Sequence, residues 1–264
     1  MKTLVCANQK GGVGKTTILV HMAFFFAEQG ERTAVIDVDH QMNASFTLSE
    51  YSVGVSSSKA FTEPKASGEK ISTAIKKRQE NCSTSNTDIF LIEADAALLS
   101  LDDVKADRLA KNLAIILKAL EESGIDIVLI DTPPALVSRF AAALMVADNV
   151  ISPIELEVYS LQGIAKMLTT IRNIRDNSNR KLGFLGMLPS RVVNSNPRHR
   201  EHLKELETTY PDLLIPLAIS QRGSIADAVS LKVPVWSIKK TAARAAAKEM
   251  KALGDYILAK LGGN

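Results

Sequence analysis

A glycine-rich stretch near the N-terminus constrains this chain more than any other feature. Residues 10–17 read KGGVGKTT and directly follow a short apolar run at residues 3–7. A strand that ends in a Gly-rich turn and leads into a helix directs several backbone N–H groups, and the positive end of the helix dipole, at one point. Glycines let the backbone curve closely around an anion. The stretch therefore predicts a phosphate-binding loop between a strand and a helix.

Two side chains of this loop have the chemistry that a nucleotide's phosphate groups require. Lys15 supplies a positive charge for the β- and γ-phosphates, and the Thr16 hydroxyl is suited to bind Mg²⁺. The loop departs from the general pattern G-x-x-x-x-G-K-[ST], because Gln9 and Lys10 precede Gly11 where an opening glycine is usual. The predicted nucleotide-binding residues of the loop are Lys10, Gly11, Gly12, Val13, Gly14, Lys15, Thr16 and Thr17.

Apolar runs alternate with helical patterns along most of the chain. After the first run, continuous apolar runs at residues 33–37, 89–92, 125–130, 149–153 and 182–188 predict buried parallel strands. Helical patterns cover residues 16–29, 104–123, 161–175 and 198–208, and Gly30 and Gly124 follow the first two as capping signals. The alternation predicts an α/β fold with a mostly parallel twisted sheet and helices on both faces.

The length and composition fit one domain spanning residues 1–264, with a substantial apolar core. Residues 51–87 are rich in Ser, Thr, Lys and Glu, with a helical core only at 71–78, so they predict a polar and partly flexible surface excursion. Cys6 and Cys82 lack metal-binding spacing, and neither a secretory signal nor an apolar run of about 20 residues is visible. These features favour a cytoplasmic protein.

Acidic side chains follow two of the predicted strands. Residues 37–44 read DVDHQMNA after the second strand, and residues 130–134 read IDTPP after a later one. The carboxyl ends of parallel strands meet at one edge of the sheet, so Asp39 and Asp131 are expected near the phosphate loop. Nucleotide-bound Mg²⁺ requires oxygen ligands, and hydrolysis requires a group that orients water. Each acidic strand end alone could be a simple turn, but together with the loop they predict a nucleotide site.

These three motifs, in this order, resemble those of the ParA/MinD superfamily of P-loop ATPases, and the resemblance covers nearly the whole chain. Residues 10–17 resemble the deviant Walker A loop, residues 37–44 resemble the ParA switch I, usually D-x-D-P-Q-x-N-A, and residues 130–134 resemble the Walker B and switch II stretch. His40 stands where the family usually has proline, and residues 51–87 match poorly.

The resemblance implies an Mg²⁺-dependent ATPase, slow and stimulated by a partner, that forms a sandwich homodimer when it binds ATP. Lys10 would reach across the dimer to the partner's ATP, and Lys15 would bind the phosphates in cis. Thr16 would ligate Mg²⁺, Asp131 would hold Mg²⁺ through water, and Asp39 would position the attacking water.

The family's usual adenine contacts lie after the later strands, which indicates Pro189 and Arg191. A Pro-Ser-Arg sequence at a strand end is equally compatible with an ordinary turn.

The output of such an ATP switch differs within the family, since ParA-like members bind DNA non-specifically and MinD-like members bind membranes. Eight basic and three acidic side chains lie from residue 222 onward, whereas the whole chain carries a net charge of only +3. A local basic patch can bind DNA phosphates. The candidate DNA-binding residues are Arg222, Lys239, Lys240 and Arg244. Arg198 and Arg200, beside His199 and His202, form a second candidate patch, with both histidines expected to be exposed.

The C-terminal pattern bears on the membrane alternative. Alanine dominates residues 241–252, and the short apolar stretch at 256–261 is followed by Gly-Gly-Asn. Small side chains suit packing against the domain better than insertion into lipid. DNA is therefore the favoured matrix.

The resemblance also implies a partner. Only about eight residues precede the loop, so no N-terminal helix-turn-helix domain is expected. The implied protein is a short partition ATPase that works on the nucleoid with a ParB-like adaptor to segregate or position a plasmid, a chromosome or another cargo.

Three other classes share parts of this pattern. An iron–sulfur reductase would need cluster-ligating cysteines after the third and fourth strands, which Cys6 and Cys82 do not supply. A tyrosine kinase on the same core would carry a tyrosine-rich tail, and this tail has only Tyr256. A scaffold that binds ATP without turnover stays open, because His40 alters switch I.

Overall fold

An eight-stranded parallel sheet organises the computed structural model, which describes residues 1–81, 88–156 and 160–262. The strand order is β3-β4-β2-β5-β1-β6-β7-β8, and every pairing is parallel. The predicted α/β fold is thereby confirmed. The strands are β1 (Lys2–Cys6), β2 (Thr33–Asp37), β3 (Ser52–Ser56), β4 (Ile89–Glu93), β5 (Ile127–Asp131), β6 (Asn149–Ile154), β7 (Gly183–Val192) and β8 (Ile219–Ser220).

Helices pack on both faces of this sheet. Alternate residues of each central strand enter two separate apolar clusters, as the two-residue period of a strand requires. Helices α1, α9 and α10 contribute to one cluster, and α4 to α8 contribute to the other. The helices are α1 (Lys15–Glu28), α2 (Asn43–Thr47), α3 (Ser57–Thr62), α4 (Pro64–Asn81), α5 (Ala106–Glu122), α6 (Ser138–Val146), α7 (Ser160–Asn177), α8 (Pro197–Thr209), α9 (Gly223–Ser230) and α10 (Thr241–Gly262).

Helix α1 is the central helix of its face and holds the phosphate loop in place. It is apolar on nearly every side, and its side chains from residue 18 to residue 27 are all buried between the sheet and α10. The helix ends as the sequence predicts: Gly30 has a φ of 87°, and its N–H donates to the Ala27 carbonyl at 3.0 Å. The loop before α1 is therefore attached to a rigid element at both ends.

The segment that the sequence predicts to be a surface excursion is built into the fold over residues 52–81. β3 forms one edge of the sheet, and α3 and α4 pack beside α5. Phe61, Ile71 and Ile75 are each at most 2% exposed. The Arg78 guanidinium donates to the carbonyl oxygens of Glu50, Tyr51 and Ile89. Sequence patterning identified only residues 71–78 because polar side chains dilute the apolar period of α4.

Two further differences affect the site. β7 runs to Val192, four residues past its predicted end, and so carries Ser190 and Arg191 to the edge of the sheet where the phosphate loop lies. β8 has only two residues, too few to show a strand period in the sequence.

Cys6 is buried in β1, as predicted for a small core residue, and Cys82 lies outside the described residues.

The C-terminal helix α10 buries its apolar face. Ala246, Met250, Leu253 and Ile257 are fully buried, and α10 packs on α1. Across residues 1–81, 88–156 and 160–262, no helix combines the length and the apolar character needed to cross a bilayer.

Candidate nucleotide-binding site

The predicted phosphate loop lies between β1 and α1 with the backbone geometry that an anion cradle requires. Gly12 and Gly14 have φ angles of 80° and 90°, a region that side chains with a Cβ rarely adopt. A Cβ added to Gly14 would lie 3.0 Å from Ser190 Oγ, so β7 closes one side of the loop. The first N–H groups of α1 have no acceptor within the helix and face this loop. The loop can therefore bind an anion through its backbone.

Lys15 and Thr16 begin α1 at the base of the loop. Lys15 is only 6% exposed, and its ammonium donates to the Lys10 carbonyl oxygen at 3.3 Å. The Thr16 hydroxyl donates to Asp131 Oδ2 at 2.7 Å. The structure thus brings together the loop and the acidic end of β5, which are more than a hundred residues apart in the sequence.

Two carboxyl groups are buried side by side at the ends of β2 and β5. Asp37 lies opposite Asp131 in the strand register, and both are fully buried. Burial raises the pKa of Asp37 from 3.8 to about 6, although hydrogen bonds from Ser45 and from the Asp39 N–H oppose the shift. Burial, and then the charge of Asp37, raises the pKa of Asp131 well above its ordinary value. Such a pair favours a positive charge nearby.

The buried carboxyl group of Asp131 fits a magnesium ion. Asp131 Oδ1 has no hydrogen-bond partner among the residues that the structure describes, although it is fully buried. The Thr16 hydroxyl lies against the other oxygen of the same group. Carboxylate and hydroxyl oxygens are the hard ligands that Mg²⁺ prefers. The donor set therefore suits the predicted metal.

Asp39, in the switch I segment, faces a cavity beside the phosphate loop. It is 5% exposed and lines a cavity of about 460 Å³ together with Lys15, Thr16 and Pro134. Its Oδ1 accepts a hydrogen bond from the Gln41 N–H at 3.1 Å, which fixes the carboxylate within its own turn. His40 Nδ1 lies 3.5 Å from the same oxygen. The residue that replaces the family's proline thus contacts the group predicted to position water.

A second cavity, of about 490 Å³, opens beside the loop and has the size of a nucleoside site. Gly12 and Gly14 form the side towards the phosphate loop, and Ser190 and Arg191 form another wall. Pro189 does not line this cleft, since it faces a separate cavity behind β7 with Leu203 and Pro211. The geometry therefore supports Arg191, but not Pro189, as a neighbour of the base or ribose. The remaining walls come from Ile219, Ser220, Gln221, Arg222, Ile225, Val229 and Met250.

Arg222, a candidate DNA-binding residue, lies in this cleft rather than on an open surface. Its Nη2 is 2.9 Å from Glu249 Oε1, and Glu249 also accepts hydrogen bonds from the N–H and the hydroxyl of Ser220. Sequence reasoning missed this ion pair, because nothing in the sequence links residues 27 positions apart on β8–α9 and α10. Arg222 is thus part of the wall of this cleft.

The other basic candidates are exposed. Lys239 and Lys240 precede α10, and Arg244 lies on its first turn, with Lys240 2.9 Å from Asp227. Arg198 and Arg200 are also exposed on α8.

The prediction that the two histidines of α8 are exposed is wrong. Both side chains are half-buried: His199 Nδ1 accepts a hydrogen bond from the Val193 N–H, and His202 Nδ1 bonds to the Leu156 carbonyl. These bonds dock the N-terminal half of α8 on the ends of β6 and β7.

Glu155 was also missed by sequence reasoning. It follows β6 at the same edge of the sheet and lies 2.7 Å from Lys10 Nζ and 3.1 Å from Arg191 Nη1. The available signal was the one that identified Asp39 and Asp131, an acidic residue just after an apolar strand.

Comparison with known proteins identifies the family. A family model described as an AAA domain matches residues 1–184. The chain is 50% identical over 261 residues to Protein IncC of Escherichia coli, a match that covers 99% of this chain and 70% of IncC. It is 32% identical over 188 residues to the chromosome-partitioning ATPase Soj of Thermus thermophilus, covering 71% of this chain and 68% of Soj. The chain belongs to the ParA/MinD superfamily of P-loop ATPases.

The fold of this ParA/MinD-superfamily chain also matches a solved structure. The ATP complex of a Cyanothece McdA variant superposes with a TM-score of 0.79, covering 97% of this chain and 96% of McdA. At 20% identity this likeness concerns the fold alone.

Proposed function

We propose that this protein is an Mg²⁺-dependent ATPase that dimerises around ATP and uses non-specific DNA as a matrix for partition or positioning of a cargo. The observation that carries the proposal is the convergence of three separate motifs on one cavity. Lys15 and Thr16 of the phosphate loop, Asp39 of switch I and Pro134 of the third motif line this cavity. Asp131 of the third motif is buried behind it and accepts a hydrogen bond from the Thr16 hydroxyl. The chromosome-partitioning ATPase Soj, described above, supports partition as the biological role.

Each residue of the cavity has a role that follows from its position. The loop N–H groups and the Lys15 ammonium bind the phosphates. The hydroxyl of Thr16 would hold the metal, and the carboxylate of Asp131 would hold it through water. When bound, Mg²⁺ neutralises charge on the β- and γ-phosphates as the terminal phosphoryl group is transferred. Asp39, fixed by the Gln41 N–H, orients the attacking water. The nucleoside fills the adjacent cleft between Arg191 and Arg222.

The position of Lys10 at the rim of the loop supports dimerisation. Its side chain is 47% exposed, so a second molecule can approach it. A lysine that completes the site of a second copy makes ATP part of the interface, and the switch segments then report which nucleotide is bound. We infer slow turnover until a ParB-like adaptor, bound to the cargo, stimulates it.

The DNA surface that we propose comprises Lys239, Lys240 and Arg244. All three are exposed near the N-terminus of α10, where the helix dipole adds positive potential. Phosphate contacts of this kind carry no sequence specificity and fit a matrix role on the nucleoid, in the cytoplasm.

The membrane alternative is disfavoured by the packing of α10. A membrane-binding helix must present its apolar face to lipid. Met250, Leu253 and Ile257 on that face are fully buried in the molecule. Exposing them would leave part of the core unpacked.

The first test is binding to non-specific duplex DNA with ADP and then with ATP and Mg²⁺, at two salt concentrations. We expect strong binding only with ATP, weakened by salt. Lys15→Ala is the matched control for the nucleotide site, because it should lose ATP binding and with it DNA binding. Tight ATP binding by Lys15→Ala would contradict the phosphate-site assignment. Absence of DNA binding by wild type with either nucleotide would reject the DNA matrix and leave the ATPase core, with liposome binding as the next measurement.

A further inference from the structure

Glu155 occupies a position that links the phosphate loop to the end of β7. It follows β6, and β6 lies between β1, which leads into the loop, and β7, which ends near Arg191. Its side chain is only 15% exposed, although it carries a carboxylate. A carboxylate in this environment needs positive partners to offset its lost hydration.

Each oxygen of Glu155 takes one cation. Oε2 lies 2.7 Å from Lys10 Nζ, and Oε1 lies 3.1 Å from Arg191 Nη1. Arg191 lines the proposed nucleoside cleft, and Lys10 is the first residue of the phosphate loop. A single negative charge therefore holds two of the positive charges that the phosphates of a nucleotide would attract.

The two cations differ in how their side chains are placed. Arg191 Nη1 also donates to the Gly12 carbonyl oxygen at 2.8 Å, and its backbone has a φ of 55°. Its place is set by the loop and by its own backbone turn. Lys10 has a flexible four-carbon stem that is about half exposed. The Lys10 ammonium can therefore exchange partners without a movement of the backbone.

Phosphate groups compete with Glu155 for these cations. A nucleotide brings several negative charges to the loop whose Gly12 carbonyl already contacts Arg191. Pairing of Lys10 with phosphate requires the ammonium to leave the Glu155 carboxylate. The strength of the Glu155 contact thus opposes any step that uses Lys10 on a nucleotide.

We propose that Glu155 is a positioning residue of the phosphate site, which holds Lys10 and Arg191 against the loop in the nucleotide-free protein and must release Lys10 before that lysine can contact a phosphate. This inference rests on the proposed function, because it assumes that the loop binds ATP. It adds to the proposed function one residue, Glu155, whose ion pair contributes to the energetic cost of engaging Lys10.

The test compares wild type with Glu155→Gln, which keeps the shape of the side chain and removes the charge. The affinity for ATP with Mg²⁺ is measured at a protein concentration at which ATP-bound wild type dimerises, because Lys10 is proposed to act on the ATP of a second copy. We expect Glu155→Gln to bind ATP about three- to tenfold more tightly, as for the loss of competing, partly exposed ion pairs. The gain should shrink at high salt, because screening weakens the Glu155 contacts of wild type. A purely structural role for Glu155 would produce weaker binding and no such salt dependence.

Glu122→Gln is the matched control. Glu122 carries the same charge in an exposed ion pair with Lys118 on α5, at 3.7 Å. Its substitution changes the net charge equally but should leave the affinity for ATP unchanged. An equal gain in Glu122→Gln would mean that net charge alone explains the effect, which would overturn the proposal.

A double-mutant cycle tests whether Glu155 acts through Lys10. In a Lys10→Met background, we expect Glu155→Gln to produce at most a small gain in affinity for ATP. A full gain without Lys10 would mean that the carboxylate repels the nucleotide directly, and the proposal would be wrong.

Thermal unfolding checks that each variant folds. Glu155→Asp, whose shorter side chain should hold only one cation, provides a second variant with an intermediate gain in affinity for ATP.

The outcomes separate this inference from the proposed function. Wild-type protein that does not bind ATP would refute the proposed function and this inference with it. If wild type binds ATP as tightly as folded Glu155→Gln, or more tightly, this inference is wrong and the proposed function is unaffected.

Discussion

At the scale of single residues, the buried carboxyl groups of Asp37 and Asp131 have the most clearly raised pKa values of the candidate site. Asp37 accepts three hydrogen bonds from Ser45 and Asp39, yet burial still raises its pKa. Asp131 has one buried oxygen without a partner among the described residues. The site thus stores unfavourable electrostatics that a bound cation relieves, which is typical of functional sites.

The raised pKa of Asp37 predicts a pH dependence of stability. The folded protein holds the Asp37 proton up to a pH of about 6, whereas the unfolded chain loses it near 3.8. The contribution of Asp37 to stability is therefore fully present below the unfolded pKa and is lost as pH rises towards about 6. We expect the free energy of unfolding of Asp37→Asn, relative to wild type, to rise by up to about 3 kcal/mol between pH 4 and pH 7. Denaturant unfolding at a series of pH values, without nucleotide, measures this difference, and a flat difference would contradict it.

The position of Asp39 predicts a separation of binding from turnover. We expect Asp39→Ala to bind ATP and dimerise but to hydrolyse ATP about 100-fold more slowly, because it loses the group that orients water. Steady-state phosphate release and sedimentation with ATP measure the two properties. Asp103→Ala, which removes an exposed carboxylate, is the control and should behave as wild type. Unchanged turnover in Asp39→Ala would remove Asp39 from this role.

At the scale of secondary-structure elements, the contact of α1 with α10 sets the position of both the phosphate loop and the basic helix. Gly254 of α10 lies directly against the Phe25 ring of α1, where a Cβ would overlap the ring. α10 also carries Glu249, which holds Arg222 in the wall of the cleft beside the phosphate loop. The helix thus contacts the nucleotide site and presents basic side chains to solvent.

This close approach predicts that a usually stabilising substitution destabilises the protein. An exposed Gly→Ala change inside a helix stabilises by up to about 1 kcal/mol. At Gly254 we expect the reverse, a loss of about 1–3 kcal/mol, because the added methyl group overpacks the interface with Phe25. Gly163 of α7, whose added Cβ meets nothing within 4 Å, is the matched control and should show the usual gain. Chemical denaturation measures the change in the free energy of unfolding of each variant. Changes of the same sign and size in both variants would contradict the packing argument.

Elements also mark where sequence patterning reached its limit. The apolar composition of α1 and its glycine cap are local properties, so they could be predicted. β3, β8 and α4 exist because other elements bury their few apolar side chains, among them Val55, Ile71 and Ile75. Local patterning cannot show such burial, because it depends on residues distant in the sequence.

At the scale of the whole molecule, charge is distributed between the two helical faces. The candidate DNA surface lies on the face of α1 and α10, and α5 lies on the opposite face of the sheet. Both faces carry exposed basic side chains, so net charge alone does not select one for DNA. A comparison of matched substitutions on the two faces can locate the surface.

We expect the triple change Lys239→Gln, Lys240→Gln and Arg244→Gln to weaken DNA binding while sparing ATP-dependent dimerisation. The slope of log affinity against log salt should fall by up to about 3, or about 0.9 for each lost phosphate contact. The control is the triple change Lys111→Gln, Lys118→Gln and Arg108→Gln on α5, which removes the same exposed residue types. If both triples weaken binding equally, or neither does, the DNA surface lies elsewhere.

The sequence by itself determined the phosphate loop, the acidic ends of two strands and the α/β fold that unites them. These are short-range patterns, because a strand, a glycine turn and a capped helix follow from neighbouring residues. Only the tertiary structure decided which distant residues share the site. It placed Arg222 in the cleft beside the loop and paired it with Glu249, placed Pro189 at another cavity, and set Glu155 between Lys10 and Arg191. Such pairings depend on the order and register of strands in the sheet, which local sequence does not encode.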